Sequence, residues 1–416
     1  MQIPFASTTA LYRSLARCLT LSLALAACQA DIDILEPVDD PVDPRFARYV
    51  SLGNSITAGY QSSGINADTQ REAYPVLLAR QMGTSFVIPV LAGNGCEPPI
   101  IDIQTDVRVG GSNAPGQCSL RLADSVGTTI NNVAVPGATA LDPYSATSPS
   151  ANLLTTLILG GRTQVQRALE VEPTFASVWI GNNDVLQAAA TGLLTPLAGV
   201  SRGVLPVDEF SQQFDNTVDA LLAGAPELEG VLIGVVNVTA APILFPAAAL
   251  FDPAFRAGVD LYAGRAVTLL PSCTAGSTSL ISFAVVQQIR SGGHPPVIGC
   301  APGSIPGTPV GDMFVLDAAE QASIAATVAG YNAAIEARAA AAGFAYWDPN
   351  PTLMALRESG QIPAVPNLAS ATSLFGEYVS LDGVHPTSRT HRLIANGLIG
   401  AINSFHGTTI PVLPES

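Results

Sequence analysis

The stretch that decides the fold is Tyr49-Val50-Ser51-Leu52-Gly53-Asn54-Ser55-Ile56-Thr57. A nearly continuous apolar run of this kind suits a parallel strand covered on both faces, so a strand is expected over Ala47 to Leu52. Gly53-Asn54-Ser55 breaks the run and a helix is expected from Ile56, which sets Ser55 in a tight strand-to-helix turn. Open α/β sheets bind ligands at that carboxyl edge. The amides and positive dipole end of a following helix favour an oxyanion at the same spot. Taken alone, such a serine is usually a helix cap with no catalytic role.

Outward from this stretch, apolar runs at Ser85 to Val90, Phe175 to Ile180, Gly230 to Val236 and Phe344 to Asp348 supply four further strands. Helical periodicity falls between them at Arg71 to Met82, Asn152 to Leu169, Val207 to Leu222 and Asp317 to Ala342. A last helix is expected from Thr387 or Ser388, either of which can cap it, to about Phe405. The alternation predicts an α/β chain, a three-layer α/β/α sandwich around a mostly parallel five-stranded sheet. Two Gly-, Pro- and Ser-rich stretches, about 91 to 129 and about 238 to 316, read as ordered insertions that form either walls of a functional site or a small added subdomain.

The 416 residues are 48% hydrophobic and 12% charged, which excludes a disordered chain. A formal net charge of −15 and the absence of Lys argue against nucleic acid and anionic headgroups as partners. Without Lys there is no Schiff base and no P-loop, so a nucleophile must be a hydroxyl, thiol or carboxylate.

At the N-terminus, Arg13 and Arg17 precede the apolar run Leu19 to Ala27, too short to span a bilayer and suited to a signal peptide over residues 1 to 27. Leu25-Ala26-Ala27-Cys28 resembles a bacterial lipobox, in which Cys28 would carry lipid and anchor an exported protein at the cell envelope. Gln29 resembles the pattern of lipoproteins moved to the outer membrane. Residues 28 to 45, rich in Asp and Pro, read as a solvated tether, with the folded domain over 46 to 410. In an oxidising compartment Cys96, Cys118, Cys273 and Cys300 should form two disulfides. The pairing Cys96–Cys118 and Cys273–Cys300 closes the shorter loops. No CxxC or HxxxH spacing accompanies these residues, and no metal is expected.

Of the four histidines, His294 sits in a Gly-Pro loop, while His391 and His406 are expected to face solvent on or after the last helix. His385 differs, because Asp382 precedes it by three residues in Ser380-Leu381-Asp382-Gly383-Val384-His385-Pro386-Thr387 and could orient its imidazole. A rival nucleophile is Ser201 in Gly199-Val200-Ser201-Arg202-Gly203, a GxSxG pattern. It follows no β-branched strand and opens no helix, as that motif requires.

Four blocks, Gly53-Asn54-Ser55-Ile56, Gly137 within Asn132 to Thr139, Gly181-Asn182-Asn183-Asp184 and Asp382-Gly383-Val384-His385, resemble those of the SGNH, or GDSL, hydrolase family, in family order. The resemblance implies a flavodoxin-like fold and hydrolysis of carboxylic esters without a cofactor. Ser55 would be the nucleophile, with His385 as base and Asp382 as acid; Ser55 N–H, Gly137 N–H and the Asn183 side chain would form the oxyanion hole. Asp184 is the alternative acid. The chain departs from the family at Asn54, where Asp is usual.

Fold and motif leave the ester open. A lipid or short-chain acyl ester and an O-acetyl group on envelope or extracellular polysaccharide both fit. A surface lipoprotein that binds without catalysis is the reading of another class.

Overall fold

The computed structural model describes residues 43–111, 118, 129–302 and 313–414. The lipobox with Cys28, the signal segment and most of the tether lie outside the described residues. The end of the tether does not: Asp43 caps a short turn at Pro44–Phe46, and Arg45 pairs with Asp43 and Glu229.

The central sheet has four parallel strands in chain order, β1 (Tyr49–Gly53), β2 (Phe175–Trp179), β3 (Glu229–Ile233) and β4 (Ala345–Trp347). Successive side chains point to opposite faces. Val50, Leu52, Ala176, Val178 and Leu232 enter one core, with the helices Val207–Gly224 and Ala318–Ala342. Tyr49, Phe175, Val231, Ile233 and Ala345 enter the other, under α1 (Tyr74–Met82) and α2 (Ser388–His406). The result is the expected three-layer α/β/α arrangement.

The fifth expected strand, Ser85 to Val90, is not a regular strand. The place beside β1 belongs to residues 131–135, where Ser51 N–H donates to Asn131 O at 2.8 Å and Val133 N–H to Ser51 O at 3.0 Å. This segment runs parallel to β1 and continues to Val135 N–H on Gly53 O. Residues 85–90 lie outside it, tied through Val87 to Asn131. With that segment included the spatial order is the flavodoxin-like one, and the order reverses next to β1, where such sheets place their ligands.

Three helical expectations change. Pro75, in the first turn, starts α1 at Tyr74 rather than Arg71, after a separate turn of helix at Ala67–Arg71. Gly160 and Gly161, both at positive φ, split the helix expected from Asn152 to Leu169 into Leu153–Leu159 and Gln164–Leu169. The helix after Ser55 is one turn, Ser55–Ala58, ended by Gly59. Ala318–Ala342 begins with a capping box between Asp317 and Glu320.

The later insertion builds its own core. Leu244–Pro246, Leu280–Ser282 and Val315–Leu316 form a small antiparallel sheet. The helices Pro253–Ala263 and Ala284–Ser291 and the segment around Leu374 to Leu381 pack with it. The earlier one contributes a short hairpin, Ile100–Asp102 with Val107–Arg108. Both disulfides pair as expected, Cys96 with Cys118 and Cys273 with Cys300.

Candidate functional site

Three loops leave the carboxyl edge of the sheet side by side, after β1, after residues 131–135 and after β2. Gly53 ends β1 where only glycine fits: a Cβ there would lie 2.3 Å from Thr57 Oγ1 and 2.6 Å from Trp179 O. The Gly53 backbone is pinned by fully buried Gln164, whose Oε1 accepts from Gly53 N–H at 2.9 Å and whose Nε2 donates to Gly53 O at 3.0 Å. Asn54 then caps the single turn, its Oδ1 accepting from Ile56 N–H at 3.1 Å. The buried Asn54 Nδ2 finds no acceptor among the described residues, so the departure from Asp leaves a buried donor unsatisfied.

Ser55 Oγ lies 2.8 Å from His385 Nε2. His385 Nδ1 lies 2.9 Å from Asp382 Oδ2, and both side chains are only about one-tenth exposed. Because a carboxylate only accepts, the ring proton belongs on Nδ1, which leaves Nε2 to accept from the serine hydroxyl. Asp382 also accepts from the N–H groups of Val384, His385 and Ser63. Burial alone would raise its carboxyl, but the charge of His385, the hydrogen bonds from its ring and backbone, and the one from Ser63 outweigh burial and hold the carboxyl well below its usual range. The later insertion touches the same loop, since Ile243 N–H donates to Gly383 O.

Gly137, at φ +86°, starts the loop after residues 131–135, and Asn183 opens the helix after β2. The two are joined: Asn183 Nδ2 donates to Ala138 O at 2.8 Å, and Asp184 Oδ2 accepts from Ala140 N–H at 2.9 Å. Gly181 must be glycine, because a Cβ there would lie 2.7 Å from both Phe210 and Val235. Asn182 fixes the turn by accepting from Val236 N–H. Asp184 is therefore bonded to the Gly137 loop and not to His385, whose carboxylate partner is Asp382. Burial pushes the Asp184 carboxyl up to about 7, against the Ala140 hydrogen bond and with the help of Asp142.

The other histidines are not at the surface. His391 is fully buried, takes Tyr74 N–H on Nδ1, and is depressed to about 3 by burial and then by the charge of His385. His406 pairs with Glu229 and reaches Gly230 O. A polar residue on the inner face of a helix breaks the apolar period that would have revealed it. His294 Nδ1 meets Pro295 O in its loop. Thr387 does not cap the last helix with its side chain; its hydroxyl donates to Glu377 O. Buried Ser201 donates to Leu193 O and accepts from Gly203 N–H, which makes it a loop tie with no histidine beside it.

Two residues of the site gave no signal in the sequence. Gln164 belongs to a helix far from any block. Tyr60 places its ring 4.8 Å from the His385 ring, and burial followed by the Asp382 charge pushes its hydroxyl up to about 12. An apolar cavity of about 90 Å³ is lined by Ile56, Val384 and Pro386, the chain neighbours of Ser55 and His385, together with Trp179, Trp347 and Leu353; Ser55 and His385 themselves do not line it.

The family model described as GDSL-like lipase/acylhydrolase matches residues 49–398. The chain belongs to the GDSL-like lipase/acylhydrolase family. As a GDSL hydrolase it is an enzyme of the carboxylic ester class. No curated protein matches the sequence. Among solved structures it is similar to an extracellular lipase from Streptomyces rimosus, at 17% identity over 86% of this chain and 98% of that one, with a TM-score of 0.35. It is also similar to a phospholipase A1 from Streptomyces albidoflavus, at 15% identity over 86% and 98%, with a TM-score of 0.34. An acetyl-xylooligosaccharide esterase from Geobacillus is similar at 11% identity over 85% and 93%, with a TM-score of 0.35.

Proposed function

We propose that this GDSL hydrolase cleaves esters of apolar acyl chains through Ser55, His385 and Asp382. The reading rests above all on the unbroken path from Ser55 Oγ through the His385 ring to Asp382. His385 Nε2 takes the hydroxyl proton as Ser55 Oγ attacks the ester carbonyl, and the carbonyl oxygen becomes an oxyanion facing Ser55 N–H, Gly137 N–H and the Asn183 amide. Collapse expels the alcohol, which takes the proton from His385. A water, deprotonated by the same nitrogen, then releases the acid from the acyl-enzyme. Asp382, held as an anion, stabilises the imidazolium in both halves.

The apolar lining that Ile56, Val384 and Pro386, the chain neighbours of Ser55 and His385, give to this cavity supports an apolar acyl chain. On the same reading Cys28 carries lipid and tethers the exported enzyme at the bacterial envelope, a reading supported by Leu25-Ala26-Ala27-Cys28 and the acidic segment after it. Esters from acetate to decanoate, with acetylated xylan alongside, test the substrate: kcat/KM should rise with chain length beyond acetate. Highest activity on the acetylated glycan would overturn it. Metabolic labelling with a fatty acid, lost in Cys28→Ala, tests the anchor.

A further inference from the structure

Among the described residues, Ser62 and Ser63 are the only consecutive non-glycine residues at positive φ, 51° and 55°. They are the centre of a two-residue hairpin turn, closed by Gln61 N–H to Gly64 O at 2.8 Å and Gly64 N–H to Gln61 O at 3.0 Å. A turn of this hand needs positive φ at both centres, which is why Asn-Gly is usual there. Ser-Ser is sterically disfavoured at both positions, and such strain persists only where the surroundings over-determine it.

The surroundings here are the loop that carries the acid. Ser63 N–H donates at 2.8 Å to Asp382 Oδ2, the oxygen that also faces His385 Nδ1. Ser62 N–H donates to Ser380 Oγ at 2.9 Å, and Leu381 N–H returns a bond to Ser62 Oγ at 3.2 Å. Two residues of the turn thus grip three consecutive residues, 380 to 382. From behind, Ile100 N–H holds Ser62 O, and the Arg108 guanidinium holds Ser63 O at 3.0 Å and Pro98 O at 2.6 Å. Ile65 and Cys96 exchange further backbone bonds with this wall, and Cys96 is joined to Cys118. Gly64 admits it closely, since a Cβ there would lie 2.4 Å from Pro99 N.

We propose that the Ser62–Ser63 turn, braced by the disulfide-stapled first insertion, is a positioning element for Asp382, fixing the carboxylate oxygen that orients His385. The inference rests on the assignment of Ser55, His385 and Asp382. The insertion therefore acts on the chemistry, as a brace for the acid, and not only as a wall. None of the four blocks contains these residues.

The test compares the full-length enzyme with Ser62→Ala/Ser380→Ala, Arg108→Ala and Ser380→Thr on p-nitrophenyl butyrate, with active molecules counted by fluorophosphonate titration. The double variant should lose about 10-fold in kcat with KM within about twofold, the scale expected when a reacting group is slightly misplaced. The acid limb of its pH profile should move to lower pH, because a loosely held carboxylate stabilises the imidazolium less. Arg108→Ala should shift both in the same direction, and it carries the test if the double variant does not fold. Ser380→Thr, which keeps the hydroxyl, should retain most of the parent kcat. Lower thermal stability with kcat per active molecule and the acid limb unchanged would overturn the proposal. Turnover persisting in Ser55→Ala would instead overturn the site assignment beneath it.

Discussion

Ser55 Oγ and His385 Nε2 lie 2.8 Å apart across 330 positions of chain. The contact closes only because the strand–turn at one end of the chain and the loop before the last helix meet at the same sheet edge. Weakening the third member of the set should therefore act through the imidazole.

Asp382→Asn keeps the size of the side chain but favours the wrong tautomer of His385. It should lower kcat by roughly 10³- to 10⁴-fold while the protein stays folded. Steady-state kinetics with circular dichroism checks this; a loss below about 10-fold would mean that another group serves as the acid.

Gln164 makes two hydrogen bonds to the backbone of one residue, Gly53, at the root of the Ser55 turn. Gln164→Leu leaves buried Gly53 N–H without its acceptor, at a cost of about 1–3 kcal/mol. Chemical denaturation should show that loss, and kcat should fall with it because Ser55 is two residues away.

Asp184 is a carboxyl raised to about 7, chiefly by burial, so the folded state binds its proton more tightly than the unfolded state does. Its contribution to stability is full below the unfolded pKa of about 4 and is lost as pH rises to about 7. Asp184→Asn, which can still accept from Ala140 N–H, should remove that loss. The variant should be more stable than the parent at pH 8 by about 1–3 kcal/mol, with the difference shrinking towards pH 5. Melting curves across this range check the sign; a parent more stable than the variant at pH 8 would contradict it.

Val384→Phe puts a ring into the apolar cavity that Val384 lines. It should cut kcat/KM for octanoate at least about 10-fold and leave acetate within about threefold, since only the longer chain needs the space. Parallel losses on both esters would mean that the substitution disturbs His385 and that the cavity does not hold the chain.

The parallel strands were legible because each is an apolar run buried on both faces, as at Phe175 to Trp179. The segment beside β1 was not, because it opens with Asn131 and Asn132, whose amides bond backbone in the interior: Asn131 Nδ2 to Tyr49 O and Asn132 Nδ2 to Thr57 O. The apolar run at 85–90 looked more like a strand than the segment that takes the place. Ser55, Asp382 and His385 could be singled out because a carboxylate three residues before a histidine and four blocks in family order leave a pattern in the sequence. Gln164, Tyr60 and the Ser62–Ser63 turn could not, since what they contribute is backbone bonding, ring packing and a left-handed turn, none of which leaves a spacing in the sequence.

Ser55 is the proposed nucleophile, and labelling tests that role most directly. The purified protein is treated with a fluorophosphonate at neutral pH, weighed intact and mapped by peptide mass spectrometry. A single adduct on the peptide containing Ser55, absent from Ser55→Ala and retained in Ser201→Ala, is the result expected. No adduct, or an adduct on Ser201, would contradict it.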